Sequence, residues 1–321
     1  MRWKVLSMFA GAGGLDLGFR GGFTFLGKHY KRTDFNIIKA YDINPRAVET
    51  YNANLEPVCE TRDITQIDPS ELPVADVVLG GFPCQDFSIT GKRQGISIQR
   101  GNLYRAMVAV VEAVRPMVFV AENVKGLLSA NKGLAREVIT NDFANTGSGY
   151  RIYMQVLNAA DYGVPQRRER VFIIGVRTDL RGGFRFPEPT HHRSGGGPLI
   201  PLPRWRTIKE ALENIENPEV HARLLNAEWD KRRPCPKWKR DRPLDPDMPA
   251  KTVLAEQTPF HYKHERRLSV RECARLQSFP DDFAFMAPKS KAYRLVGNAV
   301  PPVLAWHLAM AIQNFLKRSV S

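Results

Sequence analysis

Cys84 stands in the run Gly80-Gly81-Phe82-Pro83-Cys84-Gln85-Asp86-Phe87-Ser88, directly behind a proline. Pro83 cannot continue a hydrogen-bonded ladder, so the cysteine falls just past the carboxyl end of a short apolar strand, Asp76–Leu79. In α/β proteins that edge is where ligands bind. Most free cysteines are small core residues, but the glycines and polar residues around this one favour a reactive thiol. Glu122 follows a second apolar run, Met117–Ala121, and reaches the same edge. In a dry pocket its carboxyl would hold a proton to higher pH and serve as an acid near neutrality. Gln166-Arg167-Arg168-Glu169-Arg170 leads into a third such run. A charge run is usually a solvated face; one that enters an inner strand directs at least one guanidinium into the site. Nucleophile, acid and cation are thus expected together.

A second set lies near the start of the chain. Phe9-Ala10-Gly11-Ala12-Gly13-Gly14 separates the strand-like Trp3–Phe9 from an amphipathic-looking segment, Leu15–Phe19. Glycines there let backbone approach a ligand, and a helix start offers free N–H groups. Taken alone, such a turn is as often only a turn. Asp42, ending the next strand (Asn36–Tyr41), adds an acceptor for ribose hydroxyls. Its spacing exceeds the usual ~20 residues of a dinucleotide fingerprint, which an insertion over Arg20–Asp34 accounts for. A nucleoside-bearing cofactor is favoured, with NAD left open by this pair.

The elements that must position these residues alternate. Pro45 opens a helix through about Asn54 and Leu103–Val114 reads as another; Arg151–Leu157 and Arg170–Val176 read as further strands. Alternation predicts an α/β fold: a mostly parallel sheet with helices on both faces. Composition changes after Phe186, where prolines and Gly195-Gly196-Gly197 read as a linker. A basic block follows, with Arg232, Arg233, Lys237 and Arg240 among its members and Trp229 and Trp238 between them. Regular patterning returns at Arg267–Gln277 and closes in an apolar helix, Pro302–Leu316.

Forty-seven Lys and Arg against 33 Asp and Glu leave a net charge of +14, which favours a polyanion, most simply nucleic acid. The four cysteines form no C-x-x-C pair and no ligand cluster with His191 and His192, so neither a disulfide framework nor a metal is expected. Free thiols suit a reducing cytoplasm. The apolar runs are too short for a membrane span and no signal peptide is evident. Cys235, between two prolines in the basic block, and Cys273, at helical spacing, are expected to be non-catalytic; His261 and His264 are expected at the surface or in a hinge.

In order along the chain, Phe9–Leu15, Gly81–Ser88, Glu122–Val124, Gln166–Arg170, Arg271–Arg275 with Phe279-Pro280, and Gly297–Pro302 resemble six motifs of the DNA cytosine-C5 methyltransferase family, in its compact bacterial restriction-modification form. The resemblance covers nearly the whole chain. It implies a Rossmann-like S-adenosylmethionine-binding sheet with a smaller, mixed target-recognition domain. It implies that Cys84 adds to position 6 of cytosine, that Glu122 protonates ring N3, and that Arg170 contacts the base carbonyl beside Arg168. The nucleotide must then leave the stack. For the cofactor it implies Phe9, backbone from Gly11, Gly13, Gly14 and Leu15, then Asp42, Ile43, Asp63, Ile64, Pro83, Leu103, Asn298 and Val300; for the DNA strand, Ser88 and Thr90.

The implied division is a catalytic domain of residues 1–187 plus 290–321, a recognition domain of 188–264, and a hinge and structural motif at 265–289. Arg232, Arg233, Lys237 and Arg240 are expected mainly on phosphates, which position but do not specify. The expected partner is duplex DNA, with no membrane; the sequence leaves open whether a cognate restriction endonuclease acts on the same site. Two rivals share the chemistry. A tRNA methyltransferase of this fold would carry Cys-Phe-Thr, which is absent here. The RNA class with two active-site cysteines finds no second one at Glu122–Val124. A silent DNA-binding descendant is disfavoured by intact Cys84, Glu122 and Arg170. Asp86, where many members have a small residue, and the 20–34 insertion carry no assigned role.

Overall fold

The computed structural model describes residues 2–83, 103–197, 200–215, 243–255, 258–264 and 266–320. The first strand, β1 (Trp3–Met8), is apolar but for Lys4 and Ser7 and is buried throughout save for Lys4, as a central parallel strand requires. Helix α1 (Gly14–Arg20) follows the glycine turn. It is not amphipathic as its pattern suggested: Gly14 through Phe19 are all buried, because the helix is covered on both sides. The 20–34 insertion forms a hairpin, β2 (Phe23–Phe25) with β3 (Lys28–Tyr30). Phe23 stacks on Tyr30 at 5.1 Å, and Tyr30 meets Trp306 edge-on at 5.3 Å, so the hairpin braces the last helix.

β4 (Phe35–Asp42) leads into α2 (Pro45–Asn54), whose start is fixed by Pro45 and by the Asn44 side chain accepting from the Arg46 N–H. Then come β5 (Cys59–Thr61), β6 (Val77–Gly80), α3 (Leu103–Val114), β7 (Val118–Val124), α4 (Leu134–Ala144), β8 (Tyr150–Asn158) and β9 (Glu169–Arg177). Seven strands make one sheet in the order β5-β4-β1-β6-β7-β9-β8. The first five in that order are parallel; β9 is antiparallel to both neighbours. The link from β8 to β9 is too short for a crossover helix, so the chain must turn back. That reversal decides the site: β9 begins where β7 ends, pairing Arg170 with Val124.

One apolar cluster joins α1, α2 and the C-terminal helices to one face of the sheet; the other gathers α3 and α4. The stretch after Phe186 is more structured than a linker. β10 (Gly196–Gly197) pairs with β11 (Ile200–Pro201), and the Trp205 indole N–H donates to Asp161 at 2.9 Å. Trp205 therefore docks this region on the link between β8 and β9; Trp229 and Trp238 lie outside the described residues. Helices α5 (Ile208–Leu212) and α6 (Val270–Leu276) each open with a reciprocal cap, Thr207 with Glu210 and Ser269 with Glu272. α7 (Lys289–Asn298) and α8 (Pro302–Ser319) complete the chain. Cys273 is fully buried. His261 is not at the surface: it is 5% exposed, with Nε2 3.4 Å from Glu272, because Glu272 holds its region of the core together.

Candidate active site

Glu122 lies one residue past the last β6–β7 pair, Gly80 with Ala121, at the carboxyl edge of the parallel strands. The antiparallel start of β9 delivers Arg170 to the same place, and Arg170 Nε sits 2.9 Å from Glu122 Oε1 with both side chains largely buried. Burial pushes the Glu122 carboxyl above its ordinary value, against the pull of Arg170 and Arg168. A carboxyl in that state can hold a proton and give it up, with the guanidinium beside it to steady the anion.

The chain leaving β6 is fitted to this carboxyl. A Cβ at Gly81 would lie 3.1 Å from Glu122 Oε2, so glycine leaves it room. The buried Asn123 side chain donates to the Phe82 carbonyl at 2.9 Å, tying the ends of β6 and β7 together two residues before Cys84. Pro83 is exposed. Cys84 itself, with Ser88 and Thr90, lies outside the described residues, as do Arg232, Arg233, Lys237, Arg240 and Cys235.

The glycine turn has its own geometry. Phe9 and Gly11 both have positive φ, 55° and 56°. At Gly11 a Cβ would meet nothing within 4 Å, so the turn presents open space to a ligand. At Gly14 a Cβ would overlap the Val300 carbonyl, which brings the last motif against the first. Asp42 Oδ2 accepts from the Gly11 N–H and Oδ1 from the Asn44 N–H, each at 2.8 Å. Burial raises the Asp42 carboxyl even so. Each oxygen keeps a second lone pair for a ligand hydroxyl.

Around this turn the structure gathers several of the expected cofactor residues. Ile64 is buried in the same apolar cluster against which Phe9 and Leu103 pack. Ile43 is an apolar side chain 66% exposed beside Asp42, a platform without a cover. Asp63 accepts from the Thr65 N–H and hydroxyl and so caps its own turn. Leu15 and Val300 are buried, and Asn298 is exposed at the end of α7. Arg168, expected beside the base, is 1% exposed, donating to the Gly297 carbonyl at 2.8 Å and to Val253 at 3.4 Å. Burial, then the nearby Arg170 charge, pulls its guanidinium down to about 9. Asn123 is a site residue that residue-type reasoning passed over; its signal was only its place between Glu122 and Val124.

The open α/β sheet thus places a glycine turn at its switch point and a buried Glu–Arg pair two strands away, at the same carboxyl edge. Residues 3–314 match the family model described as C-5 cytosine-specific DNA methylase. The chain is 39% identical to the Type II methyltransferase M.NgoFVII of Neisseria gonorrhoeae, covering 96% of this chain and 86% of that protein. It is 34% identical to M.FnuDI of Fusobacterium nucleatum, over 98% and 95%. Among solved structures, S. pombe Dnmt2 methyltransferase superposes with a TM-score of 0.72 at 20% identity, over 99% of each chain. The chain belongs to the C-5 cytosine-specific DNA methylase family and is a methyltransferase of that class.

Proposed function

We propose that the protein transfers a methyl group from S-adenosyl-L-methionine to carbon 5 of a cytosine flipped out of a specific duplex DNA sequence, through a covalent Cys84 adduct at carbon 6. The observation that carries this reading is the Glu122–Arg170 pair at the end of β7, beside the strand that leads to Pro83 and Cys84. Carbon 5 of cytosine is a poor nucleophile. Addition of the Cys84 thiolate at carbon 6, with Glu122 giving a proton to N3, turns the ring into an enamine whose carbon 5 can attack. Arg170 supports the carboxylate that remains and the base carbonyl. Loss of the carbon 5 proton to water and expulsion of the thiolate, with the N3 proton returning to the Glu122 carboxylate, then restore the aromatic ring.

The cofactor residues fit the group. Open space at Gly11, the Asp42 carboxylate and the exposed face of Ile43 together suit a ribose, an adenine and an amino-acid tail. When bound, it supplies an electrophilic methyl on a sulfonium, and S-adenosyl-L-homocysteine is the second product. Phe9, Gly13, Gly14, Leu15, Asp63, Ile64, Pro83, Leu103, Asn298 and Val300 complete its surroundings in this reading. Residues 1–187 with 290–321 act as the catalytic domain, 188–264 reads the DNA, and 265–289 joins them. Ser88, Thr90, Arg232, Arg233, Lys237 and Arg240 contact the DNA, no metal takes part, and the enzyme, bacterial or phage-encoded, works on nucleoid DNA in the cytoplasm.

Methyl transfer from labelled cofactor to duplex DNA and to tRNA, with bisulfite mapping of the DNA, tests the reading. Label is expected at one cytosine of a short duplex sequence. Label in tRNA alone would overturn the substrate.

A further inference from the structure

Four segments far apart in the chain meet around two buried amides. Gln166 lies just before β9 and Gln277 just after α6, and neither is exposed to solvent. The Val253 N–H donates to Gln166 Oε1 at 2.9 Å. Gln166 Nε2 donates to Gln277 Oε1 at 2.8 Å and to the Leu276 carbonyl at 3.0 Å. Gln277 Nε2 in turn donates to the carbonyls of Val296 at 2.8 Å and Ala299 at 3.1 Å. Each amide thereby spends both of its N–H bonds. Flipping either would set N–H against N–H or oxygen against oxygen, so the partners fix the orientation. The bonds all run one way, from segment 250–255 to segment 296–299, and each polarises the next.

Arg168 spans the same gap, from the Val253 carbonyl to that of Gly297. A Cβ at Gly297 would come within 2.6 Å of the Ala255 nitrogen, so the two backbones touch. Segment 250–255 is held from the other side by Arg167 N–H to the Ala250 carbonyl, Ala250 N–H to the Pro165 carbonyl, and the Thr252 hydroxyl to the Arg167 carbonyl.

We propose that Gln166 and Gln277 are positioning residues that couple the DNA-reading side of the molecule to the cofactor wall. They hold segments 250–255 and 296–299 as one body, so that seating DNA against the first sets the second. The proposal rests on the function proposed above, which puts Asn298 and Val300 at the cofactor. Neither glutamine touches reacting atoms; both act through backbone. By linkage the coupling is reciprocal: DNA must tighten cofactor binding by the factor with which cofactor tightens DNA binding.

Equilibrium binding of S-adenosyl-L-homocysteine, with and without duplex carrying the mapped site, tests it alongside thermal melting. DNA is expected to tighten binding by roughly five-fold or more in the wild type. Gln166→Met and Gln277→Met are each expected to bring that ratio near one, and the double variant to go no further. A merely structural role would lower the melting temperature and weaken both ligands while keeping the ratio. That result, or a wild-type ratio of one, overturns the proposal. Wild type that binds neither ligand would instead overturn the function on which it rests. Where the Met variants do not fold, Gln166→Glu keeps the acceptor for Val253 but loses both donors; an unchanged ratio there also contradicts the coupling.

Discussion

Two buried glutamates in this protein each face an arginine, and they are treated in opposite ways. Glu272, at the start of α6, accepts from Arg266 at 2.7 and 2.8 Å and from the Ser269 N–H at 2.7 Å, with His261 Nε2 at 3.4 Å. The Lys263 and His264 N–H groups both donate to His261 Nδ1, so the ring proton sits on Nε2, toward the carboxylate. Burial would push Glu272 up, but the bonds from Arg266, His261 and Ser269 outweigh it and hold it at about 2. Among the described residues Glu122 has one such contact, 2.9 Å to Arg170 Nε, and burial wins. A carboxylate saturated with donors is a permanent anion that holds structure. One left short of them can carry a proton.

Breaking the comparison should therefore give opposite phenotypes. Glu122→Gln cannot give up a proton and is expected to lose about 10²- to 10⁴-fold in kcat, with a smaller shift in unfolding midpoint than its counterpart. Steady-state methyl transfer against pH checks it. Wild-type activity should fall as pH rises through the raised Glu122 value, a limb absent from the variant.

Glu272→Gln takes a buried carboxylate away from Arg266, His261 and the Ser269 cap and is expected to cost about 3–5 kcal/mol in urea unfolding, while methyl transfer per folded molecule stays within about three-fold of wild type. The sign with pH follows from the lowered folded value. The stabilisation from Glu272 is complete above its unfolded value near 4.5 and is lost as pH falls toward 2. The variant should lack that acid decline. Loss of turnover with Glu272→Gln and retention with Glu122→Gln would reverse the assignment.

Smaller effects sharpen the same contrast at the cofactor turn. Gly14→Ala drives a methyl into the Val300 carbonyl and should cost about 1–3 kcal/mol, with KM for the cofactor rising more than KM for DNA. Asn44→Ala removes only the cap of α2 and should cost about 1 kcal/mol, seen in melting and not in the cofactor KM.

The strands and helices around Pro83, Glu122 and Asp42 were legible because each is a local pattern: an apolar run, a proline at a helix start, glycines in a turn. What the sequence concealed is long-range. Nothing local says that β9 runs backwards, yet that reversal is what places Arg170 on Glu122. His261 read as a surface or hinge residue because its partner, Glu272, is eleven positions away on another element. Gln166 and Gln277 are buried amides with no pattern of their own, and α4 lacked the strong periodicity that would have announced it. The 20–34 hairpin has meaning only against Trp306, nearly three hundred residues on.

The most direct test of the central claim is covalent capture on DNA substituted with 5-fluorocytosine, where the methylated adduct has no proton to lose and cannot release the thiol. Wild type with S-adenosyl-L-methionine is expected to give a complex that survives denaturing electrophoresis, and Cys84→Ser none, although it still binds S-adenosyl-L-homocysteine. A denaturation-resistant complex formed equally by Cys84→Ser would contradict Cys84 as the nucleophile.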